Sequence, residues 1–514
     1  MSRLVLLCVS LCELCVFVVC SEAAPPTLNN LHPAGAQRGT NVEILAGGTF
    51  ERWPVQVWTD NPTITIKCAK DKGRLTINVA ADAVPGVHWL RLHDEQGAST
   101  MRPFIVGTLP DVSEKEPNDD VVKAQTIDTS SVVNGRLEKA GDVDVFSMKL
   151  KKGDTLVASV DAFQTLRSPM DSVLQVLSND GFVLEQNNDW SNLDPQIVFQ
   201  APKDGTYAVR LFAFPSTPDA SIRLSGGEAY VYRLTLTTGG FADHSVPLAI
   251  SRGPSAQVTI EGWNISSDAK LIPVPATGDF ATVFHPRIAN ALRVKIEDHP
   301  SFEVISGKNK LSSPLTSPFS LAAGIPSEPI TIAAKKGQTL NIRVDSRDLG
   351  LKVNPVIRIL DAAGKQLART EPPTLNKDTE TNFTPPADGT YRIEVTDLFG
   401  GSGPRYVYRL RVTPPEPGFD LAVAADRFAL APGKPTDIVV TTTRRSGFAK
   451  EIELVAEGLP TGVKSELVPP AKGDTKSLTL RLNTEKAGPS GAFRIVGKSK
   501  DLPLVRTARA TLAE

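Results

Sequence analysis

The chain repeats itself at long range, and a fold for it must contain the same unit twice. Lys151-Lys152-Gly153-Asp154-Thr155-Leu156 returns as Lys335-Lys336-Gly337-Gln338-Thr339-Leu340, 184 positions later. At the same spacing Pro202-Lys203-Asp204-Gly205-Thr206-Tyr207 returns as Pro386-Ala387-Asp388-Gly389-Thr390-Tyr391. Val231-Tyr232-Arg233-Leu234 returns as Val407-Tyr408-Arg409-Leu410 at a spacing of 176, so the first copy carries a longer loop, assigned to 214–227. Similarity of this kind marks tandem modules.

Each copy reads as β-strands. Leu156-Val157-Ala158-Ser159-Val160 and Leu340-Asn341-Ile342-Arg343-Val344 alternate with period two. Asp180-Gly181, Ala363-Gly364, Asp204-Gly205 and Asp388-Gly389 are turn signals between apolar runs. The closing strands place Tyr230, Tyr232, Leu234 and Leu236 on one face, and Tyr406, Tyr408, Leu410 and Val412 on its counterpart, which predicts core-lining tyrosines. A second repeat precedes each copy: Arg38-Gly39 before Asn41-Val42-Glu43-Ile44-Leu45, and Arg252-Gly253 before Gln257-Val258-Thr259-Ile260. The stretch from Glu416 alternates again, as in Ser477-Leu478-Thr479-Leu480-Arg481-Leu482. Helical periodicity is nearly absent. The expected fold is all-β: tandem β-sandwich domains, jelly-roll-like and immunoglobulin-like, in five modules. After a signal segment at 1–24 these occupy 25–110, 111–238, 239–320, 321–414 and 415–514. A length of 514 residues suits that count.

Arg3, the apolar run 4–20 and the small residues Ser21 and Ala23 read as an export signal with cleavage after Ala23. An uncleaved anchor and a lipidated Cys20 are the alternatives. The run is short for a membrane span, and no later segment is long and apolar enough for one. The expected location is secreted, periplasmic or cell-envelope. Four of the five cysteines lie in the signal segment, so the mature chain keeps only Cys68 and has no intramolecular disulfide. Its modules must be held by apolar cores or by metal. Cys68 reads as a small buried side chain. A formal net charge of -1 gives no reason to expect nucleic acid as a partner.

One motif carries coordination chemistry. Glu114, Glu116, Asn118 and Asp119 lie within six positions around Pro117, and alternate residues of an extended chain face the same way. Asp142 and Asp144 are also two apart. Together they offer oxygens enough for Ca²⁺, and with no Cys or His among them they do not suit zinc or copper. The residues alone leave open a solvated acidic linker with an Asn-Asp turn.

Glu114-Lys115-Glu116-Pro117-Asn118-Asp119, then Gly141-Asp142-Val143-Asp144-Val145-Phe146, Lys152-Gly153-Asp154, Ser168-Pro169-Met170-Asp171-Ser172 and Asp204-Gly205-Thr206-Tyr207, in that order, resemble the bacterial pre-peptidase C-terminal domain. The resemblance covers about 111–238, and 321–414 with fewer motifs; 25–110 looks like an immunoglobulin-like module of the transcription-factor type. It implies a jelly-roll-like β-sandwich attached to secreted proteases and envelope proteins. It also implies a structural calcium held by Glu114, Glu116, Asn118 and Asp119, and by extension Asp142 and Asp144. In the second copy, Asp142 and Asp144 map to Pro326 and Glu328, so no calcium is expected there.

No catalytic constellation is found. None of the six histidines stands at metal-ligand spacing, and Asp243-His244-Ser245 are chain neighbours, which cannot converge as a triad must. No GxSxG elbow occurs, and Gly491-Ala492-Phe493-Arg494-Ile495-Val496-Gly497-Lys498-Ser499 has one residue too many for a phosphate loop. Asn187 to Asp194 reads as a surface turn, and Trp53, Trp58, Trp190 and Trp263 as partly buried rather than sugar-stacking. The expected function is a non-catalytic binding or scaffolding protein with one calcium-stabilised sandwich. Its partners would be extracellular protein or polysaccharide. The alternative is an accessory or targeting subunit of a secreted peptidase or other hydrolase.

Overall fold

A computed structural model describes residues 24–217, 223–251, 258–266, 272–274, 280–297, 301–303, 319–325, 329–469 and 476–510. The signal segment up to residue 23, and Pro326 and Glu328 of the second copy, lie outside the described residues. Among the described residues the chain is a succession of β-sandwiches, with one four-residue α-helix, Phe163–Leu166, and one 3-10 turn, Arg347–Leu349. No described helix is long and apolar enough to cross a membrane.

The repeated unit is built the same way twice. In the first copy one sheet runs Asp111–Ser113, Ser131–Arg136, Val231–Thr237, Thr155–Asp161, Gln196–Gln200. The facing sheet runs Gln125–Thr126, Asp144–Leu150, Gly205–Pro215, Met170–Ser178, Val183–Asn187. In the second copy the sheets run Ser301–Glu303, Phe319–Ile325, Gly403–Thr413, Leu340–Asp345, Thr379–Phe383 and Ile330–Ala334, Gly389–Asp397, Pro355–Leu360, Gln366–Thr370. Period-two alternation sends Tyr232, Leu234 and Leu236, and likewise Tyr408, Leu410 and Val412, into the two cores. The second sandwich of this type begins before residue 321, because Ser301–Glu303 and Phe319 belong to its sheet. A three-residue parallel edge strand carries no repeat signal that would have marked it.

Strand Val231–Thr237 is buried at every position, not at alternate ones. Its inner face meets the facing sheet, and its outer face meets the preceding sandwich, whose strand Asn30–His32 packs on it. Arg233 therefore lies in the interior at 2% exposure. Its Nη1 lies 2.8 Å from Asp111 Oδ1 and donates to Asn134 Oδ1 at 2.7 Å. A Cβ at Gly35 would lie 2.5 Å from Arg233 Nη1, so glycine there lets the two modules approach. The second copy also buries the matching arginine but pairs it differently: Arg409 Nη1 lies 2.9 Å from Oδ2 of its register partner Asp345.

The loop read as a surface turn has a structural task. Asp194 is buried and accepts backbone N–H bonds from Ala162 (3.2 Å), Phe163 (2.7 Å) and Gln164 (3.0 Å), closing the start of the short helix. Asp378 does the same for Ser346, Arg347 and Asp348. Asp194→Ala leaves these donors without an acceptor and is expected to cost about 2 kcal/mol. A lower denaturation midpoint followed by the fluorescence of Trp190, in the same loop, checks this.

Trp190 and Trp263 are not free for sugars. The Arg405 guanidinium sits 3.1 Å from the Trp190 ring centroid and 4.3 Å from that of Trp263. Its Nε donates to Asp243 Oδ1 and one Nη to Gln196 Oε1, both at 2.6 Å. Trp53 packs on the first sandwich's core and donates to Ala69 O. Cys68 is half-buried, donates to Val55 O, and burial pushes its thiol up.

Candidate metal centre

The linker between the first two sandwiches leaves one sheet and joins the other. It starts as the edge strand Asp111–Ser113, parallel to Ser131–Arg136, and ends as Gln125–Thr126, parallel to Asp144–Leu150. Between those edges it crosses the open end of the sandwich. Two backbone bonds pin it there: Glu114 N–H to Asn134 O at 3.1 Å, and Val145 N–H to Asn118 O at 3.0 Å. The crossing lays Glu114, Glu116 and Asn118 over the first residue of strand Asp144–Leu150.

Oxygens of Glu114, Glu116 and Asp144 lie within 4.8 Å of one another. Glu114 Oε1 accepts from Asn118 Nδ2 at 3.2 Å, and Oε2 from the Arg136 N–H at 2.7 Å. Asp144 is fully buried and its Oδ2 accepts from the Tyr232 hydroxyl at 2.7 Å. Asp144 Oδ1 and Asn118 Oδ1 are buried with no hydrogen-bond partner. Asp142, buried next to them, accepts from the Glu138 N–H at 2.5 Å. Asp119 is exposed and lies 3.5 Å from Lys123 Nζ, outside the group that converges.

Burial, then the Glu114 carboxylate, pushes the Asp144 carboxyl up to about 11. Burial also raises Glu114 and, with Asp142 and Glu114 beside it, Glu116. A cluster of this kind either holds protons or holds a cation. The residues fit a hard divalent cation: all donors are oxygens, two buried oxygens lack partners, and spacings under 4.8 Å suit metal–oxygen bonds of about 2.4 Å.

Sequence reasoning placed Tyr232 in the core but missed its hydroxyl, which reaches the acids from the opposite sheet. The available signal was Gly135, the cross-strand partner of Tyr232. A Cβ at Gly135 would lie 2.2 Å from the Tyr232 hydroxyl, so glycine makes room for the ring. In the second copy Ala323 stands opposite Tyr408. A different acidic group in that copy, Asp345, Asp348 and Asp378, also lies within 4.8 Å. Arg343 and Arg409 pair with Asp345, and Asp378 takes the backbone donors, so this is an ion-pair network.

Elsewhere, His244 Nδ1 and Asp243 Oδ2 are 2.9 Å apart, but the Ser245 hydroxyl donates to Pro247 O and forms no triad with them. Arg494 to Ser499 of the phosphate-loop lookalike forms a strand.

The sandwich with this acidic linker across one end has recognisable relatives. Residues 142–213 match the family model of the bacterial pre-peptidase C-terminal domain. Over 173 residues, 32% of this chain, the sequence is 35% identical to a probable subtilase-type serine protease of Deinococcus radiodurans. The match spans 22% of that relative's length. A solved pre-peptidase C-terminal domain of a collagenase from Bacillus anthracis aligns over 24% of this chain and 100% of that domain, at 13% identity and a TM-score of 0.18. The chain carries a pre-peptidase C-terminal domain.

Proposed function

We propose that this chain is an exported, non-catalytic binding or scaffolding protein whose second sandwich is stapled by one structural calcium ion. The observation that carries the calcium reading is the pair of buried, unpartnered oxygens, Asp144 Oδ1 and Asn118 Oδ1, beside the converging carboxylates. Glu114, Glu116, Asn118 and Asp144 would hold the ion, with Asp142 adjoining. Bound calcium would fasten the crossing linker to the sandwich, the task disulfides perform in other exported proteins. The sequence of 1–24, which reads as an export signal, supports a secreted or envelope location.

The match to part of a subtilase-type protease favours a second reading, in which the protein serves in trans beside a secreted hydrolase. Co-purification with such a hydrolase tests it; a partner that is a polysaccharide or a non-enzymatic surface protein would exclude it.

Calorimetric titration of the full chain tests the metal. One ion per chain is expected, with binding abolished in Glu114→Gln and Asp144→Asn. Asp119→Ala, which removes only the exposed partner of Lys123, is expected to weaken binding less than either. No heat at millimolar calcium would reduce the motif to a linker.

A further inference from the structure

The first and last sandwiches are far apart in sequence yet touch. Arg91, in strand Gly86–Asp94, donates from Nη1 to Asp426 O at 3.0 Å and from Nη2 to Asp426 Oδ2. The two side chains are 14% and 4% exposed, so this is a desolvated pair and not a surface one. We propose that Arg91 and Asp426 form an ionic latch that closes the five-sandwich chain into one compact body, and that its release lets the last sandwich swing away.

The rest of the molecule explains how a single pair suffices. The first sandwich is fixed to the second: helix Phe163–Leu166 packs on strand Arg102–Gly107, and the Arg167 guanidinium lies 5.0 Å from the Trp89 ring centroid. It is fixed to the third as well, where Thr108 Oγ1 donates to Ile288 O at 2.8 Å and Arg38 lies over Phe284. Arg405, set between Trp190 and Trp263 and bonded to Asp243 and Gln196, ties the second, third and fourth sandwiches together. The middle of the molecule is thus braced. The last sandwich follows the fourth through a short connection, from Thr413 to Gly418. Its Asp426 meets Arg91 as an intramolecular partner at high effective concentration.

The latch is also the weak point. Arg427, next to Asp426 in the chain, adds a like charge that acts on Arg91, and Arg91 Nε is buried without a hydrogen-bond partner. Loss of the Asp426 carboxylate leaves a largely buried guanidinium without its counter-charge, a situation that separation into water relieves. Opening would bare Arg91 on the first sandwich, beside its cross-strand neighbour Trp58.

Small-angle scattering of the full-length protein tests this. Closed, its radius of gyration should lie near the ~25 Å of one compact body of this length, well short of the roughly 50 Å of five sandwiches in line. Arg91→Glu and Asp426→Asn are each expected to raise it by about 5 Å or more, and the charge swap Arg91→Asp with Asp426→Arg to restore the closed value. If Arg91→Glu fails to fold, as circular dichroism would show, Asp426→Asn and the swap carry the test. A wild-type protein already extended, or single variants that stay closed, would overturn the latch.

Discussion

Calcium at a hundredfold excess over its dissociation constant is expected to stabilise the 111–238 sandwich by about 2.7 kcal/mol. For a domain of this size that corresponds to a melting midpoint higher by on the order of 10 °C. Calorimetry in calcium and in chelator measures it, and Asp144→Asn should abolish the difference. The protons supply a second signature. In the calcium-free protein Asp144 is pushed up to about 11, against an unfolded value near 3.9, so the folded state holds the proton that the unfolded state releases. The stability this group contributes is present below about pH 4 and is lost as pH rises toward 11. In chelator the sandwich is therefore expected to melt lower at pH 8 than at pH 5. With calcium bound the carboxylate must be ionised, so binding should release protons and tighten as pH rises. Titration in buffers of differing ionisation enthalpy reads that release.

Asp111→Ala is expected to have the larger effect, a loss of about 3 kcal/mol, because it removes the carboxylate that the buried Arg233 Nη1 meets and leaves the guanidinium only Asn134 and its register partner Asp161. The cost arises from desolvation: Arg233 is 2% exposed, between its own core and the preceding sandwich. The denaturant midpoint of the full chain checks this. Asp111→Ala combined with Arg233→Met removes both charges and should recover part of the loss, although Asp161, register partner of Arg233, then loses its neighbouring cation. A loss below about 1 kcal/mol for the single variant would mean that water reaches the pair.

Much of the fold was legible in the sequence because strands write their faces with period two. The Tyr-Leu alternation of 230–236 follows from that local rule, and Tyr232, Leu234 and Leu236 lie in the core with Tyr230 packed against it. Convergence of Glu114, Glu116 and Asn118 was legible for the same reason. What could not be read depends on contacts between distant strands. The Tyr232 hydroxyl reaches Asp144 from the opposite sheet; Arg233 is buried because a neighbouring module covers its outer face; Trp190 and Trp263 meet only through Arg405. None of these has a local signature beyond an interior glycine or an arginine within an apolar strand. Asp119 shows the converse limit: proximity in sequence put it in the motif, while the turn after Asn118 carries it to Lys123.

The course of the linker has a mechanical consequence. A pull between the first two sandwiches enters the second through Asp111–Ser113, held to its neighbour by a parallel register of three residues. Along such a strand the load acts in shear, so its bonds must fail together rather than peel one by one. The crossing residues Glu114, Glu116 and Asn118 come next on the load path. An ion held there would clamp the strand's inner end, and the concentration of that ion would set the force at which the joint yields.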